Sequence, residues 1–183
     1  MKDKEAISTS KFLSLILRHE PERVGLKLGE AGWVSVTELL EAVNRHGRPL
    51  TLDKLKHLVA TSDKERFAFS EDGHRIRANQ GHSVKVDLQY SPQTPPELLY
   101  HGTAAQFLPS IREQGLLKMA RHHVHLSAET KTTIQVGARH GKPVLLTIRA
   151  RNMVSSGHVF YCSTNGVWLV ETVPPQFIEF PNA

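Results

Sequence analysis

Two cationic side chains stand side by side where the first helix of the chain is predicted to end. Arg18 and His19 follow a crowded apolar run whose start carries hydroxyl groups suited to an N-cap, and Pro21 lies just beyond. A guanidinium beside an imidazole can bind an anion, and the imidazole can transfer protons near neutral pH. A solvated helix end, where positive charge complements the helix dipole, explains the same pair. The pair alone favours this second interpretation.

A polar segment with a further cation follows a predicted β-hairpin. It runs from Arg77 to Ser83, and Gly81 within it permits a ligand to approach the backbone closely. Strand alternation places Arg75 and Arg77 on one face and Ile76 on the other. A polar turn that closes a hairpin accounts for the segment equally well, so both interpretations stay open at this point.

The tetrapeptide Tyr100–Thr103 lies where an apolar strand is predicted to give way to a loop. His101 can donate a hydrogen bond to a ribose hydroxyl, Gly102 permits close backbone contact, and Thr103 adds a hydroxyl. The competing interpretation is a strand end with a buried histidine whose hydrogen bonds are satisfied within the protein. So short a motif is common by chance, and considered alone it favours the competing interpretation.

Histidines are concentrated in the segment Arg121–Ser127. In an extended strand His123, His125 and Ser127 share one face, and the apolar residues between them share the other. Three histidines within four residues could bind zinc. However, the segment has no cysteine nearby, no histidine pair at the helical i,i+4 spacing and no compelling carboxylate beside it, so zinc is the minor interpretation.

Two groups of elements must position these segments. Residues 1–92 combine predicted helices with a small hairpin that turns at Asp72-Gly73, an order typical of a winged helix. A capping box over Ser35–Glu38 starts one of the helices, and Gly47 suits its end. The segment Ser91–Pro96 has three prolines in five residues and is the clearest linker in the chain.

Residues 93–183 are predicted to form mostly short strands. One helix is expected around Phe107–Ile111 with its end at Gly115, and another from about Glu129 to His140. Asn165-Gly166 predicts a tight turn between two strands. The predicted strands are Leu98–His101, His123–Ser127, Val144–Ile148, Val159–Tyr161, Val167–Val170 and Phe177–Phe180.

Composition narrows the kind of partner and the cellular compartment that we expect for the protein. The formal net charge of +5 and the pI of about 9.5 lean weakly toward a polyanionic partner. The single cysteine, Cys162, excludes a disulfide within the chain and fits a reducing compartment. The charged N-terminus lacks the apolar core of a signal peptide, and no apolar run is long enough to span a bilayer. We therefore expect a cytoplasmic protein that does not enter a membrane.

Several short segments, taken in order, resemble the RNA 2′-phosphotransferase family, and within it the bacterial tRNA 2′-phosphotransferase branch. Each segment is short, but their joint order is specific, and the resemblance covers nearly the whole chain. The segments are Ser10–Ser14, Leu17–His19, Gly32–Val34, Ile76–Ser83, Leu99–Thr103, His123–Ser127 and Asn165–Trp168.

The resemblance implies an α+β fold with a winged-helix RNA-binding lobe over residues 1–92 and a β-rich lobe similar to ADP-ribosyltransferases over residues 93–183. It implies a monomer that uses NAD⁺ as a consumed co-substrate and needs no metal. The partner is RNA with an internal 2′-phosphate, such as tRNA after splicing. This phosphate attacks the anomeric carbon of the NAD⁺ ribose and expels nicotinamide. The ribose 2″-hydroxyl then attacks phosphorus, which releases 2′-hydroxyl RNA and ADP-ribose 1″,2″-cyclic phosphate.

The same resemblance implies the residues of the site. The catalytic set of the family falls on Arg18, His19, Arg77 and Arg121. The NAD⁺ contacts fall on His101, Gly102, Thr103, His125 and Ser127. The third position of the ADP-ribosyltransferase motif, which is apolar in this family, falls within Gly166–Val170, and Glu171 is not expected to take it.

Two further functions fit part of the sequence. An ADP-ribosyltransferase that acts on nucleic-acid ends or on protein would stop after nicotinamide is released, which leaves the catalytic cations without a purpose. A non-catalytic RNA-binding winged helix would leave His101–Thr103 and His125 without a purpose. A Rossmann-type NAD⁺ site is excluded because the chain has no Gly-x-Gly-x-x-Gly pattern.

Overall fold

The computed structural model describes residues 3–62, 64–130, 133 and 141–181. It combines helices with β-strands, as expected for an α+β protein. The chain forms two compact units, Met1–Gln89 and Tyr90–Ala183, each with its own hydrophobic core. The sequence-based boundary lies slightly later, at Pro92. Within the described ranges, no helix has both the length and the apolar character needed to cross a membrane.

Three α-helices lie among the described residues of the first unit. They are α1 (Asp3–Arg18), α2 (Val36–Arg45) and α3 (Leu52–Ala60). The Ser35 hydroxyl accepts a hydrogen bond of 3.4 Å from the Glu38 N–H and so caps α2, as the sequence predicts. Gly47, with φ of 75°, follows the end of this helix. Thr51 caps α3 in the same way, through the Lys54 N–H at 3.3 Å.

A small antiparallel sheet completes the first unit. Its strands are β1 (Val34–Ser35), β2 (Phe67–Phe69) and β3 (Arg75–Ala78), with β3 in the middle. The predicted hairpin joins β2 to β3, and Gly73 in its turn has φ of 71°. Ile76 is fully buried while Arg75 is exposed and Arg77 partly so, which confirms the predicted alternation. Short 3-10 helices at Pro21–Val24 and Glu30–Gly32 connect α1 to β1.

The core of the first unit fixes the end of α1 against the sheet. Leu13, Ile16 and Leu17 recur at helical spacing and are completely buried, together with Ile76 of β3. Burial of a side chain of this size contributes roughly 1.5–3 kcal/mol. The apolar face of α1 therefore sets where Arg18 and the residues after it can lie.

The second unit is built from short antiparallel strands. They are β4 (Leu98–Ala104), β5 (Leu116–Leu117), β6 (Val124–Leu126), β7 (Pro143–Arg149), β8 (Phe160–Cys162), β9 (Trp168–Val170), β10 (Thr172–Val173) and β11 (Ile178–Glu179). They pair in the orders β11-β7-β4, β6-β9-β8 and β10-β5. The helices of this unit include α4 (Leu108–Gln114) and α5 (Ala150–Ser155), and 3-10 helices lie at Ala105–Phe107 and Pro175–Phe177.

Local turn chemistry is predicted well in the second unit. Asn165-Gly166 lies in the turn between β8 and β9, where Gly166 has φ of 74° and donates to the Ser163 carbonyl at 2.9 Å. The helix α4 ends before Gly115, as expected. The expected helix from about Glu129 to His140 lies largely outside the described residues.

Pairing between distant strands is where the sequence prediction is wrong. Strand β4 does not end at His101 but continues to Ala104, because β7 pairs with it along its whole length. The short strands β5 and β10 and the helix α5 were not predicted. Pro92 in the expected linker forms a β-bridge with Tyr161, and the Gln93 N–H donates to the Phe160 carbonyl at 2.8 Å.

Candidate functional site

Arg18 and His19 are fastened to the segment that follows the hairpin of the first unit. The backbone N–H groups of Ser83 and Val84 both donate to the Arg18 carbonyl, at 3.0 and 3.4 Å. The Nδ1 atom of His19 lies 2.9 Å from the Ser83 hydroxyl oxygen. This segment thus satisfies the carbonyl at the end of α1 and orients the imidazole at the same time.

The Arg18 guanidinium is tied to the end of the same hairpin. Its Nη2 donates to the Arg66 carbonyl at 3.3 Å, and the Asn79 N–H donates to that carbonyl at 3.0 Å. Asn79, which is buried, also donates from Nδ2 to the Glu65 carbonyl at 2.6 Å. The carbonyl oxygens of Glu65 and Arg66 thus orient the Arg18 guanidinium and the Asn79 side chain at the start of the hairpin.

Arg77 lies in β3 against an aromatic ring. Its guanidinium carbon is 4.6 Å from the centre of the Trp33 ring, and its Nη1 donates to the Ala31 carbonyl at 3.4 Å. The guanidinium carbon of Arg75, two residues earlier on the same strand face, lies 5.5 Å from the centre of the same ring. Trp33 therefore holds two guanidinium groups side by side.

A glycine contact supports this corner of the first unit. Gly32 has φ of 76°, and a Cβ atom there would lie 3.3 Å from Nε2 of the buried His82. The backbone before Trp33 therefore packs directly on the segment that also holds His19. Arg18, His19 and Arg77 are all positioned by the end of α1, the strand β3 and the residues that follow β3.

In the second unit, His101 is partly buried in β4. Its Nδ1 lies 3.0 Å from the His125 carbonyl oxygen, which can only accept, so Nδ1 carries the proton. Burial lowers the pKa of His101 below its ordinary value of 6.5, and the positive charge of Arg121 lowers it further, against the opposing effect of the His125 carbonyl. A neutral ring with its proton on Nδ1 presents Nε2 as an acceptor. At Nε2 this ring can therefore accept a hydrogen bond, whereas we expected from the sequence that His101 would donate one.

His125 and Arg121 form the next contacts in the network that begins at His101. The Arg121 Nη1 lies 3.4 Å from the His125 Nδ1, and since Arg121 can only donate, that nitrogen acts as the acceptor. Val124 and Leu126 are buried in the core, whereas His125 is partly exposed, as the predicted alternation requires. His101, His125 and Arg121 are therefore linked through the main chain and side chain of His125.

The remaining predicted NAD⁺ contacts lie on paired strands. Gly102 and Thr103 pair with Leu145 and Val144 of β7, so they belong to a continuous strand rather than to a loop. Thr103 is nearly buried, with 8% of its surface exposed. Ser127 exchanges two backbone hydrogen bonds with Tyr100, at 2.8 and 3.0 Å, and its hydroxyl accepts from the Glu129 N–H at 3.0 Å. These bonds hold β4 and the end of β6 together.

Strand register shows what lies across from His125. Its partner in β9 is Leu169, which is buried and apolar, and Leu169 in turn pairs with Tyr161 of β8. Glu171, two residues on, is exposed and bonds to the Lys118 Nζ at 3.0 Å. That hydrogen bond, followed by the charge of Lys118, lowers the pKa of Glu171.

The histidine-rich segment shows no metal-binding geometry among the described residues, where no three His, Cys, Asp or Glu side chains are grouped to hold an ion. The His123 ring instead packs at 60° against Tyr161, with ring centres 5.6 Å apart. Burial lowers the pKa of His123, and the neighbouring His122 and Lys118 lower it further.

Several positioning groups were missed by the sequence analysis. Ser83 and Trp33 were quoted within the resembling segments but received no role. The Arg66 and His125 carbonyls are main-chain groups, so no side-chain pattern marks them. Only the fold shows which carbonyl lies beside Arg18 or His101.

Comparison with known proteins places these residues in a family context. The family model described as "RNA 2'-phosphotransferase, Tpt1 / KptA family" matches residues 4–172, a range that includes every candidate residue above. A protein of Rhodopirellula baltica is 54% identical over 180 residues, which cover 98% of each chain. A protein of Trichormus variabilis is 52% identical over 182 residues and 100% of each chain. One of Pseudomonas aeruginosa is 54% identical over 172 residues, 93% of this chain and 94% of its own.

All three relatives carry the name "Probable RNA 2'-phosphotransferase". The match extends through both units rather than one, and its range includes all the segments on which the resemblance was based. The chain therefore belongs to the RNA 2′-phosphotransferase family.

Proposed function

We propose that the protein transfers an internal RNA 2′-phosphate to NAD⁺, giving 2′-hydroxyl RNA, nicotinamide and ADP-ribose 1″,2″-cyclic phosphate. The observation that carries this proposal is the positioning of Arg18, His19 and Arg77 on one scaffold, formed by the end of α1, the strand β3 and the residues that follow β3. Side chains held in this manner suit a phosphate. Family membership supplies the reaction class.

In the first step, an oxygen of the RNA 2′-phosphate bonds to the anomeric carbon of the NAD⁺ ribose. The bond from that carbon to the nicotinamide nitrogen breaks, and nicotinamide leaves with the bonding electron pair. In this step His101 would accept from a ribose hydroxyl through Nε2, because its Nδ1 proton is engaged by the His125 carbonyl. Its lowered pKa supports this role, since the acceptor is present throughout the neutral range.

In the second step, the ribose 2″-oxygen bonds to phosphorus while the bond from phosphorus to the RNA 2′-oxygen breaks. The proton of the 2″-hydroxyl is lost, and the RNA 2′-oxygen gains one. Negative charge grows on the phosphoryl oxygens, and planar guanidinium groups match those oxygens in pairs. We assign this stabilisation to Arg18, Arg77 and Arg121, and we assign to His19 either proton transfer or the positioning of a hydroxyl.

Two architectural proposals accompany this function. The helices of the first unit followed by the β2–β3 hairpin support a winged-helix lobe that binds RNA. The strands of the second unit, with His101 on β4 and His125 on β6 linked to one another, support a lobe similar to ADP-ribosyltransferases that takes NAD⁺. An apolar Leu169 across from His125 fits a reaction whose nucleophile is already anionic and needs no carboxylate base.

A nicotinamide-release assay tests the proposal. We expect release that requires both NAD⁺ and an RNA bearing an internal 2′-phosphate, with the same RNA lacking that phosphate as the control. Release with protein or with RNA ends alone would favour an ADP-ribosyltransferase. No release under any of these conditions, with RNA binding retained, would favour a non-catalytic RNA-binding protein.

A further inference from the structure

A second cationic region of the first unit lies away from Arg77 and its aromatic partner. It is a cleft between α1 and the residues that connect α2 to α3. None of the described residues that line it carries a carboxylate. Its lining includes Lys11, Phe12, Leu15, Arg23, His46 and Arg48.

A stack of flat groups forms one wall of the cleft. The Arg48 guanidinium carbon lies 4.4 Å from the centre of the Phe12 ring, and the His46 ring lies 6.0 Å from it at an angle of 21°. The Arg48 Nη1 also donates to the Ser8 hydroxyl at 3.4 Å, which further orients the guanidinium. Phe12 is buried beneath its neighbours, whereas Arg48 and His46 are exposed. Such a supported guanidinium plane is a surface on which an RNA base can stack.

The charges of the cleft differ in how they are balanced. Arg23 forms an ion pair of 3.0 Å with Glu20, which reduces what it can offer to a ligand. Lys11 is exposed, and Arg48 bonds to a neutral hydroxyl. Lys11 and Arg48 are therefore the two positive charges best able to bind phosphate groups.

The cleft shares a helix face with one of the candidate catalytic residues. Lys11 precedes Arg18 on α1 by almost two whole turns, so both lie on the same side of the helix, about 10 Å apart along its axis. At about 3.4 Å for each stacked nucleotide, this corresponds to about three nucleotides. A strand that follows α1 from Arg18 would reach the cleft within a few nucleotides.

We propose that this cleft is an accessory site for single-stranded RNA, a few nucleotides away from the 2′-phosphate. Arg48 and His46 stack a base, and Lys11 and Arg48 bind the flanking phosphates. The proposal rests on the proposed function insofar as it takes the ligand to be the RNA substrate. It predicts that the protein distinguishes a long substrate from a dinucleotide bearing the same 2′-phosphate.

The test compares a cleft variant with a charge-matched control. The cleft variant is Lys11→Gln/Arg48→Gln, and the control is Lys27→Gln/Lys56→Gln, which removes two exposed positive charges outside the cleft. Each protein is given a dinucleotide and a twelve-nucleotide RNA that carry the same internal 2′-phosphate. For the cleft variant alone, we expect the ratio of kcat/KM on the long RNA to kcat/KM on the dinucleotide to fall by about tenfold.

Binding of unmodified twelve-nucleotide RNA, followed by fluorescence anisotropy, gives a second readout. Loss of two phosphate contacts should make the slope of log affinity against log salt shallower by about 1.4, at about 0.7 for each phosphate. The single variant Lys11→Gln should make this slope shallower by about 0.7. Because Lys11→Gln leaves Arg48 stacked on Phe12, it provides the test if the double variant proves unstable.

The proposal is overturned if the cleft variant and its control give the same ratio and the same salt slope. It is also overturned if the cleft variant loses activity equally on both RNAs, since the cleft would then not be separate from the reacting phosphate. Failure of the proposed function would give a different result, because the parent protein would then leave the 2′-phosphate on both RNAs. The anisotropy measurement reports on the cleft in either case.

Discussion

Arg18 and Arg77 in the first unit keep their charge while partly buried, whereas partial burial of His101 in the second unit favours its neutral form. The two arginines contact carbonyl oxygens and, for Arg77, the face of Trp33. The His101 Nδ1–H donates a hydrogen bond to the His125 carbonyl oxygen, and burial lowers the pKa of His101. The first arrangement suits a ligand that brings negative charge, and the second suits a neutral hydroxyl.

This difference implies that the arginines and His101 contribute to different steps of the proposed reaction. The fixed cations should matter most where charge accumulates on phosphorus, and the neutral imidazole should matter most where the ribose is oriented for loss of nicotinamide. Substitution of Arg77 and substitution of His101 should therefore stall the reaction at different points. The expected effects can be ranked by the interaction that each substitution removes.

The largest effect is expected for Arg77→Ala. Negative charge concentrates on the phosphoryl oxygens in the second step, so a lost guanidinium should slow that step by about 10²–10³-fold. In single-turnover experiments, RNA carrying the ADP-ribosylated 2′-phosphate should accumulate after nicotinamide has left. Arg77→Lys should recover only part of the rate, because an ammonium lacks the paired donors. Equal loss of both steps would contradict the assignment of Arg77 to the second step.

The next effect is expected for His101→Ala, which should slow nicotinamide release by about tenfold to a hundredfold. The reason is that a partly buried acceptor for the ribose is lost while the phosphate-binding cations remain. Rapid-quench measurement of nicotinamide should show a slow first step, with no ADP-ribosylated intermediate. Accumulation of that intermediate would show that His101 acts in the second step instead.

The lowered pKa of His101 makes stability depend on pH. Because the unfolded histidine takes up a proton near pH 6.5 and the folded one only at lower pH, the contribution of neutral His101 is complete above pH 6.5. It is lost as the pH falls from 6.5 toward the folded pKa, at up to about 1.4 kcal/mol for each pH unit. Denaturant unfolding at pH 7.5 and 5.5 should show a smaller difference for His101→Gln. Part of the dependence of the unfolding free energy on pH should remain in His101→Gln, since the pKa of His123 is lowered as well.

Gly32→Ala should destabilise the first unit by about 1–2 kcal/mol, because a side chain is strained at φ of 76°. Gly25→Ala is the matched control, since Gly25 has φ of 74° and a Cβ there would meet nothing within 4 Å. The additional loss in Gly32→Ala over Gly25→Ala measures the close packing of Gly32 against His82, Val86 and Leu88. Equal losses in thermal unfolding would mean that this contact contributes nothing.

The smallest effect is expected for Trp33→Leu. Loss of the cation–π contact with Arg77 is worth about 0.5–1 kcal/mol, or about two- to fivefold in the rate of the second step. Trp33→Phe keeps a ring and should recover most of it. A loss as large as that of Arg77→Ala would assign Trp33 a direct contact with substrate rather than a positioning role.

Features that depend on local periodicity were predictable from the sequence. The alternation of Arg75, Ile76 and Arg77 and the turns at Gly73 and Gly166 follow from strand geometry and backbone preference alone. The roles assigned to Arg18, His19 and Arg121 remain predictions, because they came from the family resemblance.

Features that depend on distant partners were not predictable. The extension of β4 to Ala104 needs the pairing with β7, and the proton on His101 Nδ1 needs the His125 carbonyl across from it. The position of Leu169 opposite His125 needs the register of β6 and β9. A sequence pattern gives the type of a side chain but not the main-chain oxygen beside it, and here that oxygen decides whether an imidazole donates or accepts.

The most direct measurement is analysis of all products after incubation with NAD⁺ and a short RNA bearing one internal 2′-phosphate. We expect mass spectrometry to show RNA lighter by one phosphate, with nicotinamide and ADP-ribose 1″,2″-cyclic phosphate formed in equal amounts, and only when NAD⁺ is present. RNA that retains its phosphate and ends as a stable ADP-ribose adduct, or that loses its phosphate without NAD⁺, would contradict it.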